Sequence, residues 1–398
     1  MARLRCRLLA LGVGVLLHGT APPCAATPFV PSDDSQVLEQ LPSSPLDRQA
    51  RQIKSLRQEL TAQRTNITLA TRLAWAHIEQ GRRLSDPREY GYAQTALAPW
   101  WDMPTPPLPI RVLRATIRQH SHQFESALAD LNAVLEADHL NTQAWLTRAL
   151  IRQVRGEYAA AKEDCMQVLQ LATPLVGVTC LSGVGSLGGE AQQSEQMLQR
   201  VLARPDAGDI GARLWALTVL AEIAARRHDP LAAEDYFRQA LALGLHDDYL
   251  LGAYADFLLD QNRAPEVIAA LADSTRADAL LLRLALAEQA TGSPELEAHV
   301  AMLRDRFAAS RQRGEAVHGR EEARYTLYLL KDPAAALVLA QRNWQVQHEP
   351  WDARILLECA VAAGDPRAAT PVLEFLQRSG LEDVLLSRLS GRLGDASP

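Results

Sequence analysis

The amino-acid sequence predicts an all-α protein built as a stack of antiparallel helix pairs, and three observations carry that expectation. Ala, Leu and Arg, all strong helix formers, dominate the 398 residues. From Leu46 onward apolar residues recur at helical spacing, as in Leu46, Ala50, Ile53, Leu56 and Leu60, with Gln, Arg and Lys between them. The text from Leu113 also repeats itself 34 residues later. No stretch shows the sustained period-two alternation of β-branched residues that marks strands. Hydrophobic residues make up 47% and charged residues 22%, which excludes a disordered chain.

The first element is a targeting segment. Arg3, Arg5 and Arg7 precede an apolar run from Leu8 to Leu17, and the small residues Cys24, Ala25 and Ala26 follow. That order predicts a secretory signal peptide over residues 1–26, with export to the periplasm as the expected outcome. The run is too short to span a membrane, and no other segment is long and apolar enough. A lipid anchor at Cys24 is the alternative, although Pro22 and Pro23 sit poorly before a lipidated cysteine. Loss of the three arginines takes the formal charge from −6 to −9. An acidic chain repels phosphate backbones, so no nucleic-acid partner is expected. Residues 27–45, rich in Pro, Ser and Asp, read as a linker, and residues 46–66 as an N-terminal capping helix.

The repeat is explicit. LRATIRQHSHQFESALADLNAVLE starts at Leu113 and TRALIRQVRGEYAAAKEDCMQVLQ at Thr147. Arg114, Ala115, Ile117, Arg118 and Gln119 align with Arg148, Ala149, Ile151, Arg152 and Gln153. Phe124, Ala127 and Asp130 align with Tyr158, Ala161 and Asp164. Two further runs, Leu217-x2-Leu220-Ala221 and Ala233-x3-Phe237-x2-Ala240-Leu241, carry the same small-and-large pattern. With Trp145-x2-Arg148-Ala149 and Tyr158-x2-Ala161, this text resembles the tetratricopeptide repeat family. It departs from that pattern at Arg148 and Arg152, where Leu and Tyr are usual, and at Cys165, where an aromatic is usual. The resemblance is strong over residues 67–247 and weak over 248–385, which read as degenerate helical hairpins. Residues 386–398 read as a tail. An insertion is expected around Arg82–Glu89, between the two helices of the first repeat.

The resemblance implies a right-handed superhelix whose first helices line a concave face. Thr71, Trp75, Val112, Thr116, Leu146, Leu150, Thr218 and Glu222 are the residues expected on that face. Such faces bind extended peptides or helices, so the implied function is a scaffold for a periplasmic or envelope protein. The wall lacks the Lys/Asn/Arg set by which some chaperone-docking members grip a C-terminal carboxylate. No cofactor is expected. The rival reading is an exported helical hydrolase or lyase acting on a cell-wall or polysaccharide substrate. Convergent carboxylates in a deep pocket would favour it. The sequence shows no Ser-His-Asp, Cys-His or HExxH pattern, so a non-catalytic role is expected.

Several constellations have two readings. Gly183-x-Gly185-x2-Gly188 matches a nucleotide fingerprint, but that chemistry needs a preceding strand. Close helix contact and a corner is the expected reading. His120-x-His122 has metal-ligand spacing but no matching Cys or carboxylate, so solvated corner histidines are expected. Arg114 and Arg148 occupy positions facing a partner helix, and Asp130 and Asp164 recur at the same offset on that helix. Fork-shaped ion pairs would satisfy both; an anion-binding ladder is the alternative. Trp100 and Trp101 cannot face the same way, so one is expected in the core; the other is either packed under the following Pro-rich loop, the favoured reading, or a candidate exposed aromatic. Trp344 and Trp351 are expected in the core. Cys165 and Cys180 flank a corner near Pro174 at similar heights on antiparallel helices, which permits a disulfide. Two buried free thiols are the other reading, and Cys359 is left over.

Overall fold

A computed structural model describes residues 45–312 and 319–394. The expected signal peptide, the Cys24 anchor, the linker up to residue 44 and residues 395–398 lie outside the described residues. Twenty-one α-helices and no strand occur among the described residues. The body beginning at Gln49 is an α-solenoid, a succession of antiparallel helix pairs each packed on the next. No described helix is long and apolar enough to cross a membrane.

The helices are α1 (Pro45–Ala62), α2 (Ile67–Leu84), α3 (Pro87–Ala96), α4 (Ala98–Trp101), α5 (Leu108–His120) and α6 (Phe124–Ala137). There follow α7 (Thr142–Val154), α8 (Tyr158–Leu171), α9 (Pro174–Leu187), α10 (Ala191–Leu202), α11 (Ile210–Arg226) and α12 (Pro230–Ala242). Then come α13 (Asp248–Asp260), α14 (Ala264–Leu271), α15 (Asp278–Thr291), α16 (Leu296–Gln312) and α17 (Gly319–Tyr328). The chain ends with α18 (Pro333–Trp344), α19 (Pro350–Ala363), a 3-10 turn at Pro366–Ala369, α20 (Thr370–Ser379) and α21 (Val384–Gly394).

The corners follow from turn chemistry. Asp229, Asp332 and Asp365 each accept a backbone N–H of the next helical turn, and a proline follows each at the first helical position. The preceding residues, His228, Lys331 and Gly364, take positive φ and end the previous helix. Small residues let paired helices approach. Ala115, Ala127, Ala149, Ala161, Ala221 and Ala233 have no exposed surface. A Cβ on Gly177 would lie 2.4 Å from the Leu169 Cα, so α8 and α9 meet there backbone to backbone.

The structure departs from the sequence expectations at three places. No insertion separates α2 from α3: Arg82 to Leu84 form the last turn of α2, and Asp86 caps α3. Residues 386–394 of the expected tail belong to helix α21, whose Leu386 and Leu393 are buried in the last apolar cluster. Trp351 is only half-buried, between the guanidiniums of Arg324 and Arg354, each 4.2 Å from its ring. Trp344 is buried.

The late pairs also return onto the early ones. A single apolar cluster joins Ala149, Tyr158, Leu181 and Leu187 to Leu327, Trp344, Ile355 and Phe375. The His348 N–H donates to the Val154 carbonyl at 2.7 Å, and Tyr158 meets Phe375 edge to face. Elsewhere α2 touches α13, and Arg276 reaches Asp86 at 3.7 Å.

Cys165 and Cys180 are joined as a disulfide, with Cα atoms 5.5 Å apart, and Cys359 is buried and free. Burial pushes the Cys359 thiol up to about 12, so its thiolate is not available for exchange at neutral pH. A variant that begins at Thr27 and so lacks Cys6 and Cys24, unfolded without reductant, is expected to titrate one thiol. Reduction, or Cys165→Ser, should cost about 3 kcal/mol in denaturant unfolding, the value for a loop of this length. Three titratable thiols would remove the bridge.

Candidate functional site

The eight residues expected on a concave wall do not form one open surface. Val112, Thr116 and Thr218 are buried, at 7%, 2% and 4% exposure. The hydroxyls of Thr71, Thr116 and Thr218 donate to carbonyls of their own helices, at Ile67, Val112 and Leu214. Trp75 packs on the apolar cluster of α1–α5, with Arg82 over its ring. Leu146 packs against the cluster built with the C-terminal helices, and Leu150 is half-buried. Val112 and Trp75 are packed within their own and neighbouring early hairpins, whereas Leu146 packs against the cluster that includes the C-terminal helices. Trp100 is 6% exposed, and Trp101 is half-buried under the Arg118 guanidinium. The candidate exposed aromatic is therefore a packed one.

The arginines sit between the helices of their own hairpins. Arg114 grips Asp130 through Nε at 2.8 Å and Nη2 at 2.6 Å, while its Nη1 donates to the Trp101 and Met103 carbonyls. Arg118 donates to the same Asp130 at 2.8 Å. One repeat later Arg148 and Arg152 converge on Asp164 at 2.8 and 2.9 Å, and Arg148 also reaches Asn132. Each aspartate thus takes two guanidiniums. The second arm, Arg118 or Arg152, was visible as an aligned pair in the repeat, yet nothing in the spacing marked it as a partner. A third such site has no repeat signal at all. Asp256 on α13 accepts from Arg283 on α15 at 2.6 Å and Arg324 on α17 at 3.0 Å. Burial opposes ionisation of Asp256, but the two guanidiniums overcome it and hold the carboxyl below its usual range.

A second polar centre joins α11, α13, α17 and α19. The Tyr249 hydroxyl donates to Glu222 at 2.6 Å, and Tyr249 keeps 59% of its surface exposed. Desolvation raises the Glu222 carboxyl, and the Glu222 charge in turn raises Tyr249. Arg320 donates to Glu349 at 3.0 Å and lies 3.7 Å from Asp352. Asp352 accepts from Asn343 Nδ2 at 2.8 Å and from the Glu349 N–H at 2.9 Å, closing a reciprocal cap on α19. Fully buried, Asp352 is pushed up to about 7 by desolvation. Of this centre, the sequence indicated Glu222 alone.

One open cleft, of about 630 Å³, lies between the start of α8, the α9–α10 corner and the end of α20. Gly156, Ala159, Ala160, Gly185 and Gly188 line it, with Lys162, Glu190 and Arg378 among its charged groups. Lys162 pairs with Glu190 at 2.6 Å. Two of the three fingerprint glycines are here, but no strand precedes them and they belong to α9 and its C-cap. A Cβ on Gly185 would lie 2.7 Å from Ser194 Oγ, so α9 and α10 need this glycine to pack. His120 stacks on Tyr90 with ring centroids 3.5 Å apart, and His122 stacks on Phe124. Among the described residues no three His, Cys, Asp or Glu side chains are grouped to hold a metal ion.

No protein-family model matches the chain, and no curated protein matches it significantly. Among solved structures it is similar to the human IFIT1 dimer with m7Gppp-AAAA, at 14% identity and TM-score 0.44, over 83% of this chain and 86% of that one. It is similar also to the TPR domain of P58(IPK), at 17% identity and TM-score 0.28, over 80% of this chain and 87% of that one. Likeness at these scores carries neither family nor function.

Two variants test the polar centres. Arg148→Met leaves Asp164 with Arg152 alone and is expected to cost about 2 kcal/mol, below the loss for a wholly unpaired buried charge. The double change with Asp164→Leu should recover part of it; strictly additive losses would exclude coupling. Asp352 binds its proton more tightly folded than unfolded, so its contribution is full at acid pH. It is lost as pH rises from the ordinary carboxyl range through about 7. Asp352→Asn should flatten the stability profile over that window; an unchanged slope would show that the carboxyl does not titrate there.

Proposed function

We propose that the chain is a non-catalytic binding scaffold of the tetratricopeptide type, exported to the periplasm, that holds an extended segment of an envelope protein. The cleft between α8, the α9–α10 corner and α20 carries this reading. Its glycines and alanines leave room for a peptide backbone beside Tyr158 and Phe375, and Arg378 supplies charge next to the Lys162–Glu190 pair. This reading places the partner in the cleft rather than on the residues assigned to the concave wall, among which Val112, Thr116 and Thr218 are buried. The buried acids favour a scaffold as well. Asp130, Asp164 and Asp256 are each taken by two arginines, and Asp352 by a helix cap. None of these four is open to a substrate.

Glu222 gives the hydrolase or lyase reading its one specific support. It is half-buried, its proton affinity is raised by burial, and an exposed tyrosine hydroxyl faces it. A general acid needs a second group across the scissile bond, and the nearby Glu349 already pairs with Arg320.

A photo-crosslinking residue at Ala159 should trap a discrete envelope protein in the periplasm. Ala160→Trp or Arg378→Glu should lower that yield about tenfold, equivalent to about 1.4 kcal/mol of binding. Yield unaffected by both changes would remove the cleft as the binding site. Polysaccharide cleavage that is lost in Glu222→Gln would decide for the enzyme instead.

A further inference from the structure

We propose that the outward face of α1 docks the protein onto an anionic phospholipid surface. Arg51, Lys54 and Arg57 are all exposed, three residues apart, along about 9 Å of helix. Arg64 follows in the exposed turn before α2. None of these four makes an ion pair among the described residues. Glu59, the one acid among the described side chains of α1, is held by Ser55 Oγ at 2.9 Å. This is a local inversion of sign in a chain whose net charge is −6. It also contrasts with the interior, where arginines at three successive sites are consumed by aspartates.

The helix is fixed in this orientation. Its apolar residues Ile53 and Leu56 are 6% and 2% exposed, buried against α2 and its neighbours. The cations therefore cannot turn inward, and the helix has no apolar face left to insert into a bilayer. Arg57 lies 5.8 Å above the ring of Tyr92, which is 49% exposed. The face thus presents a rigid row of cations with one accessible aromatic ring beside it. Protein interfaces rest on a desolvated apolar or aromatic anchor set in a pocket. Lipid headgroups need only charge, and a tyrosine at the interface adds to it. The composition of this face fits the second.

The test is co-sedimentation of the full exported chain with vesicles. One set is phosphatidylcholine alone, and the other carries about one third phosphatidylglycerol, comparable to an anionic leaflet. Binding is expected only to the second set. It should be lost near 1 M salt, where the screening length falls to about 3 Å. Each basic residue near such a surface contributes about fivefold in affinity, so Arg51→Glu, Lys54→Glu and Arg57→Glu together should lower it at least a hundredfold. Lys54→Gln alone should lower it about fivefold, which keeps the test decisive if the triple variant misfolds. Arg342→Glu, an exposed change on α18, should leave it unchanged. No binding by the unaltered protein, equal binding by the α1 variants, or an equal loss in Arg342→Glu would each overturn the proposal. So would an acidic envelope protein captured through these residues by a chain that does not bind vesicles.

Discussion

The interaction on which the stack depends is an aspartate buried between helices and gripped by two arginines. It occurs at Asp130, Asp164 and Asp256, with side chains of 7%, 1% and 5% exposure. A lone carboxylate at such a place would cost several kcal/mol, and a lone guanidinium as much. Paired, they define one arrangement of the helices, because the fork geometry tolerates neither a slip along the axis nor a rotation. Apolar contacts between alanine-rich helices are permissive by comparison, since one small residue slides past another at little cost. The gain is therefore uniqueness of register more than net stability. At Asp130 and Asp164 the clamp sets one hairpin. At Asp256 it sets three first helices at once, with ligands from α15 and α17 meeting on α13.

That third clamp belongs to a second feature of the fold. The late pairs bend back on α7 to α9, and among the late first helices Arg354 on α19 reaches Asp260 on α13 in a two-point grip at 2.6 and 2.7 Å. Phe375 then seals against Tyr158, while His348 closes a backbone bond to Val154. The open cleft lies beside the glycine corner between α9 and α10, where Gly185 and Gly188 line it together with Tyr158 and Phe375. Gly189 takes positive φ there, and a Cβ on it would lie 3.2 Å from the Gly380 carbonyl. The cleft and the close approach beside it thus have one origin.

What the sequence revealed was what is local or repeated. Helical periodicity, Asp-Pro corners and the 34-residue offset placed the hairpins. The same offset exposed Arg114 with Asp130 and Arg148 with Asp164, because both partners recur together. The spacing of Cys165 and Cys180 around a single corner permitted a bridge without deciding it, and the structure joins them. What stayed hidden was long-range closure. Nothing near Asp256 announces Arg324, 68 residues on, and nothing near Val154 announces His348. The resemblance assigned residues to a concave face by their position within one repeat. Whether that face is open depends on where other repeats lie, which no periodicity encodes. The last turn of α2 and helix α21 were misread for a related reason. Arg82, Arg83 and Ser85 look like loop text, and a short terminal helix shows too few periods to count.

Charge is distributed by the same logic. A closed stack must neutralise its interior charges in place, and the aspartate clamps, the Arg354–Asp260 grip and the Arg320–Glu349 pair do so. Outside, no such demand applies, and the sign of a surface is free to follow function. The first described helix is where the two regimes separate most sharply. Its inner face carries Ile53 and Leu56 and no charge, while its outer face carries unpaired cations in an acidic chain. Solubility alone is served by the excess of acids, so it does not account for basic residues gathered on a single helix. The same helix covers the open end of the α2–α5 cluster, which accounts for its apolar half. The row of exposed cations on its polar half is the feature the proposed anionic surface would complement.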